Sequence, residues 1–86
     1  MALKNFLQLT CMEHAPTPNV PRPFVDAAFL YSEYCQWSRL NLEPPSDKKD
    51  FVEILEKNFP HSSLVKIGPH PHFLGISYKQ WRPKKT

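Results

Sequence analysis

The sequence predicts an α+β domain in which three amphipathic helices are followed by a two-stranded β-hairpin. Apolar residues recur at helical spacing in three segments between residues 3 and 59, and each segment ends against prolines. The stretch "SSLVKIGPHPHFLGISYK" (62–79) then holds two runs of β-forming residues around a short Gly-Pro turn. At 86 residues the chain has room for one core and no second. Its 41% hydrophobic, 22% charged and 13% aromatic content is that of a globular domain rather than a disordered segment.

The first helix is expected from Leu3 to about His14, because Leu3, Phe6, Leu7 and Thr10/Cys11 fall on one face. It stops in a run containing Pro16, Pro18, Pro21 and Pro23, where alternate prolines forbid helix and hold the chain extended as a stiff surface connector. Asp26 is positioned to N-cap the second helix. Ala27, Leu30, Tyr31, Tyr34 and the Trp37/Arg39/Leu40 end repeat at helical spacing there, leaving Ser32, Glu33 and Gln36 outside. "LNLEPP" ends it. Ser46 is the expected N-cap of the third helix, with Asp47 and Asp50 where the helix dipole favours anions. Phe51, Ile54, Leu55 and Phe59 form its apolar stripe, and Pro60 stops it. In the hairpin, "LVKI" and "HFLGISY" are the strands and Gly68-Pro69-His70-Pro71 the turn, with Leu74, Ile76 and Tyr78 alternating onto the helices. The expected core is Leu7, Leu30, Tyr34, Phe51, Ile54, Leu55, Phe59, Leu74 and Ile76.

Three helices followed by a hairpin is the element order of a winged helix, with the second and third helices as a helix-turn-helix and the C-terminal hairpin as the wing. The winged-helix domain is read as residues 1–79, with residues 80–86 a basic tail.

Charge is divided by position. Residues 1–56 carry five Lys/Arg and eight Asp/Glu; residues 57–86 carry Lys57, Lys66, Lys79, Arg82, Lys84 and Lys85 and no acid. A basic pole on a mildly acidic body suits a polyanion, so double-stranded DNA is the expected partner. The expected contacts are Lys48, Lys49, Lys57, Lys66, His70, His72, Lys79, Arg82, Lys84 and Lys85. A protein partner on an acidic third helix is the alternative.

Other chemistries lack their residues. His61, His70 and His72 with Cys11 or Cys35 do not make the ligand spacing of a structural zinc site, so no metal or other cofactor is expected. With two glycines there is no phosphate-cradling loop, and no Ser or Cys sits in a nucleophile setting, so the chain reads as a non-enzyme. No apolar run approaches the roughly 20 residues of a membrane span. The start "MALKNFLQLTCMEHA" lacks the pattern of a signal peptide, so the cysteines read as reduced thiols of an intracellular protein.

Several short motifs, in order, resemble the regulatory factor X (RFX) type of winged-helix DNA-binding domain, including the divergent copy in an ARID-containing chromatin-remodelling subunit. They are "MEHAPTPNVPR", then Leu30-Tyr31-Ser32-Glu33-Tyr34, Leu42-Glu43-Pro44, Phe51 with Phe59-Pro60, and Phe73-Leu74-Gly75-Ile76. The likeness spans roughly Phe6 to Tyr78. Tyr34 with Trp37, Pro44-Pro45-Ser46 and Gly75-Ile76 are also similar to the C-terminal winged helix of phage-type and poxvirus-type primase-helicases. Both resemblances imply a winged helix working on nucleic acid, the first in transcription regulation in the nucleus, the second in viral replication. The chain departs from the RFX pattern in the third helix, where Glu53 and Glu56 replace basic residues, and in a hairpin with one lysine where the family has several basic residues. The family's target-sequence readout is therefore not carried over.

Overall fold

The computed structural model describes residues 2–81. Its elements run α1 (Ala2–Thr10), β1 (Cys11–Glu13), β2 (Phe24–Asp26), α2 (Ala27–Leu40), α3 (Lys48–Asn58), β3 (Ser63–Ile67), β4 (His70–Leu74) and β5 (Ile76–Tyr78). The class is α+β: three helices with two antiparallel sheets, one ordered β2–β4–β3 and the other a β1–β5 ribbon.

The helices bury the stripes their spacing dictates. Leu3, Phe6, Leu7 and Thr10 of α1 are buried, as are Ala27, Leu30 and Tyr34 of α2 and Phe51 and Leu55 of α3. Ile54 and Phe59 are half-buried and pack against that core, as does Trp81. Aromatic rings join the layers. Tyr34 stacks on Phe51 at 5.4 Å, Phe6 tilts against both Tyr34 and Trp37, and Phe51 meets Phe73 of β4 edge-on. Burying such side chains contributes roughly 1.5–3 kcal/mol each, the main stabilisation open to a small domain. Glu33, expected outside, is instead buried, and its Oε1 accepts a 3.1 Å hydrogen bond from the Tyr78 hydroxyl. Leu40, expected in the buried repeat, is 72% exposed.

Four features differ from expectation, the first two because a distant strand supplies the partner. Helix α1 ends at Thr10, not near His14, because Cys11–Glu13 pairs with Ile76–Tyr78. The Thr10 carbonyl, no longer needed by a helix, accepts from Lys79 N, and His14 N donates to the Gly75 carbonyl at the other end of the ribbon. Strand β2 was not anticipated; it lies between the proline run and the Asp26 cap and pairs with His72–Leu74 of β4. Asp26 does cap α2, accepting from Phe29 N at 2.9 Å. The cap of α3 is Asp47, which accepts from Asp50 N, rather than Ser46. The turn is the two residues Gly68-Pro69, and His70 and Pro71 belong to β4. Gly68 has φ +62°, and proline fixes the next φ near −65°, the sign pattern of a type II′ hairpin turn.

A proline within the central strand of a sheet is ordinarily excluded. Register explains Pro71. Ile67 and His70 close the two-residue turn, so alternate residues of β4 (70, 72, 74) bond to β3, while 73 and 75 face β2. The bond from Gly75 N to the Pro23 carbonyl follows that alternation. Pro71 therefore turns its missing N–H towards β2, at the level where that strand has already given way to α2.

Gly75 sets the last part of the fold. Phe73 and Ile76 are both buried although three residues apart. Of the expected face, Ile76 is buried and Tyr78 is half-buried against the core, whereas Leu74 lies on the side of β4 opposite Phe73. With φ +87°, Gly75 breaks the alternation and hands the chain from the β2–β4–β3 sheet to the β1–β5 ribbon.

Candidate nucleic-acid interface

Helix α3 is fixed in place by its N-terminal approach. The Tyr31 hydroxyl donates to the Ser46 carbonyl, and Ser46 N donates to the Tyr34 hydroxyl, both at 2.8 Å. The two tyrosines of the "LYxxY" segment thus grip both polar groups of one linker residue while their rings fill the core. Burial, then a hydrogen bond with Cys35, pushes the Tyr31 phenol above its ordinary value, which keeps it a donor. At 3.6 residues per turn, Glu53 lies opposite the Phe51/Leu55 stripe. The solvent face therefore carries Lys49, Asp50, Glu53, Glu56 and Lys57, all exposed and of mixed sign.

The hairpin has two faces. Directly opposed residues share a face, so Leu64, Lys66 and Pro71 lie on the side of the buried Phe73 and Val25. Val65, Ile67, His70, His72 and Leu74 lie on the other, with Phe24 and Asp26 of β2. Lys66 and the two histidines therefore project from opposite faces. Lys66 and His70 are exposed. His72 is engaged: its Nδ1 donates to the His70 carbonyl at 3.0 Å, its Nε2 sits 3.7 Å from Asp26 Oδ2, and Phe24 meets it edge-on. Asp26 is held below the usual carboxylate value, first by the Phe29 N–H it accepts, with the histidine charge adding to this. His72 thus ties β4 to the cap of α2, and only 14% of its side chain is exposed.

Lys48 and Lys49 open α3 and Lys57 lies in its last turn, roughly 13 Å along the axis from the first of them. Lys79 is exposed just after β5, where its N–H joins the end of α1. Arg82, Lys84 and Lys85 lie outside the described residues. The described cations are spread over several elements rather than gathered into one pocket.

One functional-looking residue was not singled out in the sequence. Arg22 Nη1 donates to the His61 carbonyl at 2.9 Å, and Glu13 Oε2 accepts from His61 N at 2.6 Å, so the two pin the loop leading into β3. The only signal was its place in "VPR", which says nothing of a partner 39 residues away. Among the described residues no three His, Cys, Asp or Glu side chains gather as a metal site. Cys11 and Cys35 are free thiols, and burial pushes Cys11 up to about 11, leaving it protonated at neutral pH. No helix among the described residues is long and apolar enough to cross a membrane. Compared with family models, curated proteins and solved structures, the chain finds no match.

Proposed function

We propose that this chain is a winged-helix module that binds double-stranded DNA without strong sequence readout, and that it acts by binding rather than catalysis. The observation that carries the reading is that the acid-free part of the chain builds the hairpin and its flanks, with Lys57, Lys66 and Lys79 all exposed. Cations set so far apart suit an extended polyanion better than a small anion, because a duplex presents a charge about every 1.7 Å of its axis. Sheet order supports the winged-helix part. A strand between the first two helices pairs with the second strand of the hairpin, which seats the hairpin beside α2 rather than leaving it to stand alone.

The contacts proposed are Lys57, Lys66, His70, Lys79 and the tail residues Arg82, Lys84 and Lys85, with Lys48 and Lys49 nearer the start of α3. His72 contributes through the hairpin it ties down. Glu53 at the centre of the exposed α3 face opposes close approach to phosphate, so the resemblance to RFX-type domains extends to fold and partner class and not to base reading by this helix. A nuclear, transcription- or chromatin-linked setting follows from that resemblance. A protein contact through α3 is the second reading, favoured by the exposed Glu53 and Glu56.

Affinity for a mixed-sequence duplex measured against salt tests the proposal. Binding should weaken steeply with salt, and replacing Lys66, Lys79 and Arg82 by alanine should flatten the log–log slope by about 0.9 per lost phosphate contact, for all sequences alike. A parent without salt-sensitive binding, or a triple variant equal to it, leaves the protein-contact reading in its place.

A further inference from the structure

At the end of α1, beside the β1–β5 ribbon, lies an open groove of about 180 Å³ walled by the exposed Leu9 and Met12, with Gln8, Ser77, Tyr78 and Lys79 also on its lining. Leu9 is 59% exposed and Met12 64%, so neither contributes much to the core. Register explains why Met12 is outside. Met12 opposes Ser77, and Cys11 opposes Tyr78 on the other face, where Tyr78 meets Phe29 edge-on and donates to Glu33. The pleat that turns the half-buried Cys11 inward therefore turns Met12 outward.

We propose that this groove seats one large apolar side chain of a partner protein's peptide whose flanking residues are acidic. Size selects the anchor. Small-molecule and cofactor sites run from about 300 Å³ upwards, whereas an apolar cavity of about 150 Å³ holds a single benzene ring. The groove matches one aromatic or branched side chain. Methionine suits such a wall, because its flexible thioether adapts to the shape of what enters. Charge selects the flanks. No carboxylate lines the groove, and Lys79 stands on its rim. Lys4, also exposed, lies one helical turn before Gln8. The nearby Glu13 is already held by His61 N. Leu9 and Met12 take no part in the duplex contact, whereas Lys79 on the rim is shared with it.

The test is a titration of the full chain with a capped synthetic peptide, one phenylalanine between glutamates, followed through the methyl resonances of Leu9 and Met12. Saturable shifts at both methyls are expected. A peptide with serine in place of phenylalanine should bind about tenfold more weakly or worse, the effect of losing one buried ring, and a lysine-flanked version should not bind. Met12→Ser and Leu9→Ser, both neutral changes at exposed positions, should abolish peptide binding while leaving the melting temperature and duplex affinity unchanged. Equal affinity for the serine peptide, shifts confined to other residues, or binding of anionic lipid vesicles in place of the peptide would each overturn the proposal. Failure of duplex binding alone would leave it standing.

Discussion

At Gly75 an added methyl group would lie 3.0 Å from Arg22 Nη1 and 3.3 Å from the carbonyl oxygens of both His14 and His61, on a backbone at φ +87°. Two of those neighbours are main chain and cannot swing aside. Gly75→Ala should therefore lower stability by about 1–3 kcal/mol and the melting temperature by several degrees; an unchanged melt would refute the role given to this residue. Leu42 presents the opposite case. It occupies the position after the α2 C-cap, at φ +59°, where Leu42 N bonds to the Arg39 carbonyl and Glu43 N to that of Ser38, the paired bonds of a Schellman motif. Glycine normally holds that place, and this leucine is 93% exposed, so no packing offsets its strain. Leu42→Gly should raise stability by about 0.5–1 kcal/mol, the left-handed strain less the extra chain entropy of glycine. Denaturant unfolding checks it, through a higher midpoint at an unchanged slope. Neither dihedral was legible in the sequence. "FLGIS" reads as plain alternation until the glycine is known to shift it, and Leu42 reads as one member of a short motif.

Elements stabilised by their own periodicity were legible, and elements that exist through a distant partner were not. The stripes of α1, α2 and α3 follow from spacing alone, as does the Asp26 cap. By contrast β1 is three residues whose local pattern continues the helix before it, and only the ribbon with Ile76–Tyr78 draws them into a strand. Strand β2 sits between prolines and a cap, and its one buried residue, Val25, gives no period to detect. Joining α2 to α3 is likewise a matter of partners. Tyr34→Phe keeps the ring against Phe51 but leaves the Ser46 N–H without its acceptor, at a cost of about 1–2 kcal/mol. Tyr31→Phe frees the carbonyl of the same residue. Thermal melts should show each variant several degrees below the parent, with the double variant losing less than the sum because both hydroxyls restrain one residue. Strict additivity would mean that the linker is held elsewhere.

Over the whole molecule, the charge division was legible in the sequence, but its arrangement on the surface was not. Residue order places Lys66, His70 and His72 within one short hairpin, yet the pleat sends Lys66 to one face and the histidines to the other, and Asp26 engages His72. The third helix, read as acidic, presents lysines and acids together, with Glu53 opposite its buried stripe. If the duplex lies against the hairpin and the end of α3, those carboxylates oppose phosphates over a distance at which ordinary salt screens incompletely. Replacing Glu53 and Glu56 by lysine should then strengthen duplex binding on the order of tenfold near 0.1 M salt and steepen the salt dependence by up to about 0.9 for each new phosphate contact. Both positions are exposed, so the melting temperature should hardly move. A partner protein bound through the acids of α3 would respond in the opposite sense, losing affinity on the same reversal. One variant thus separates the two readings by the sign of its effect, and unchanged duplex affinity would place the DNA away from α3 altogether.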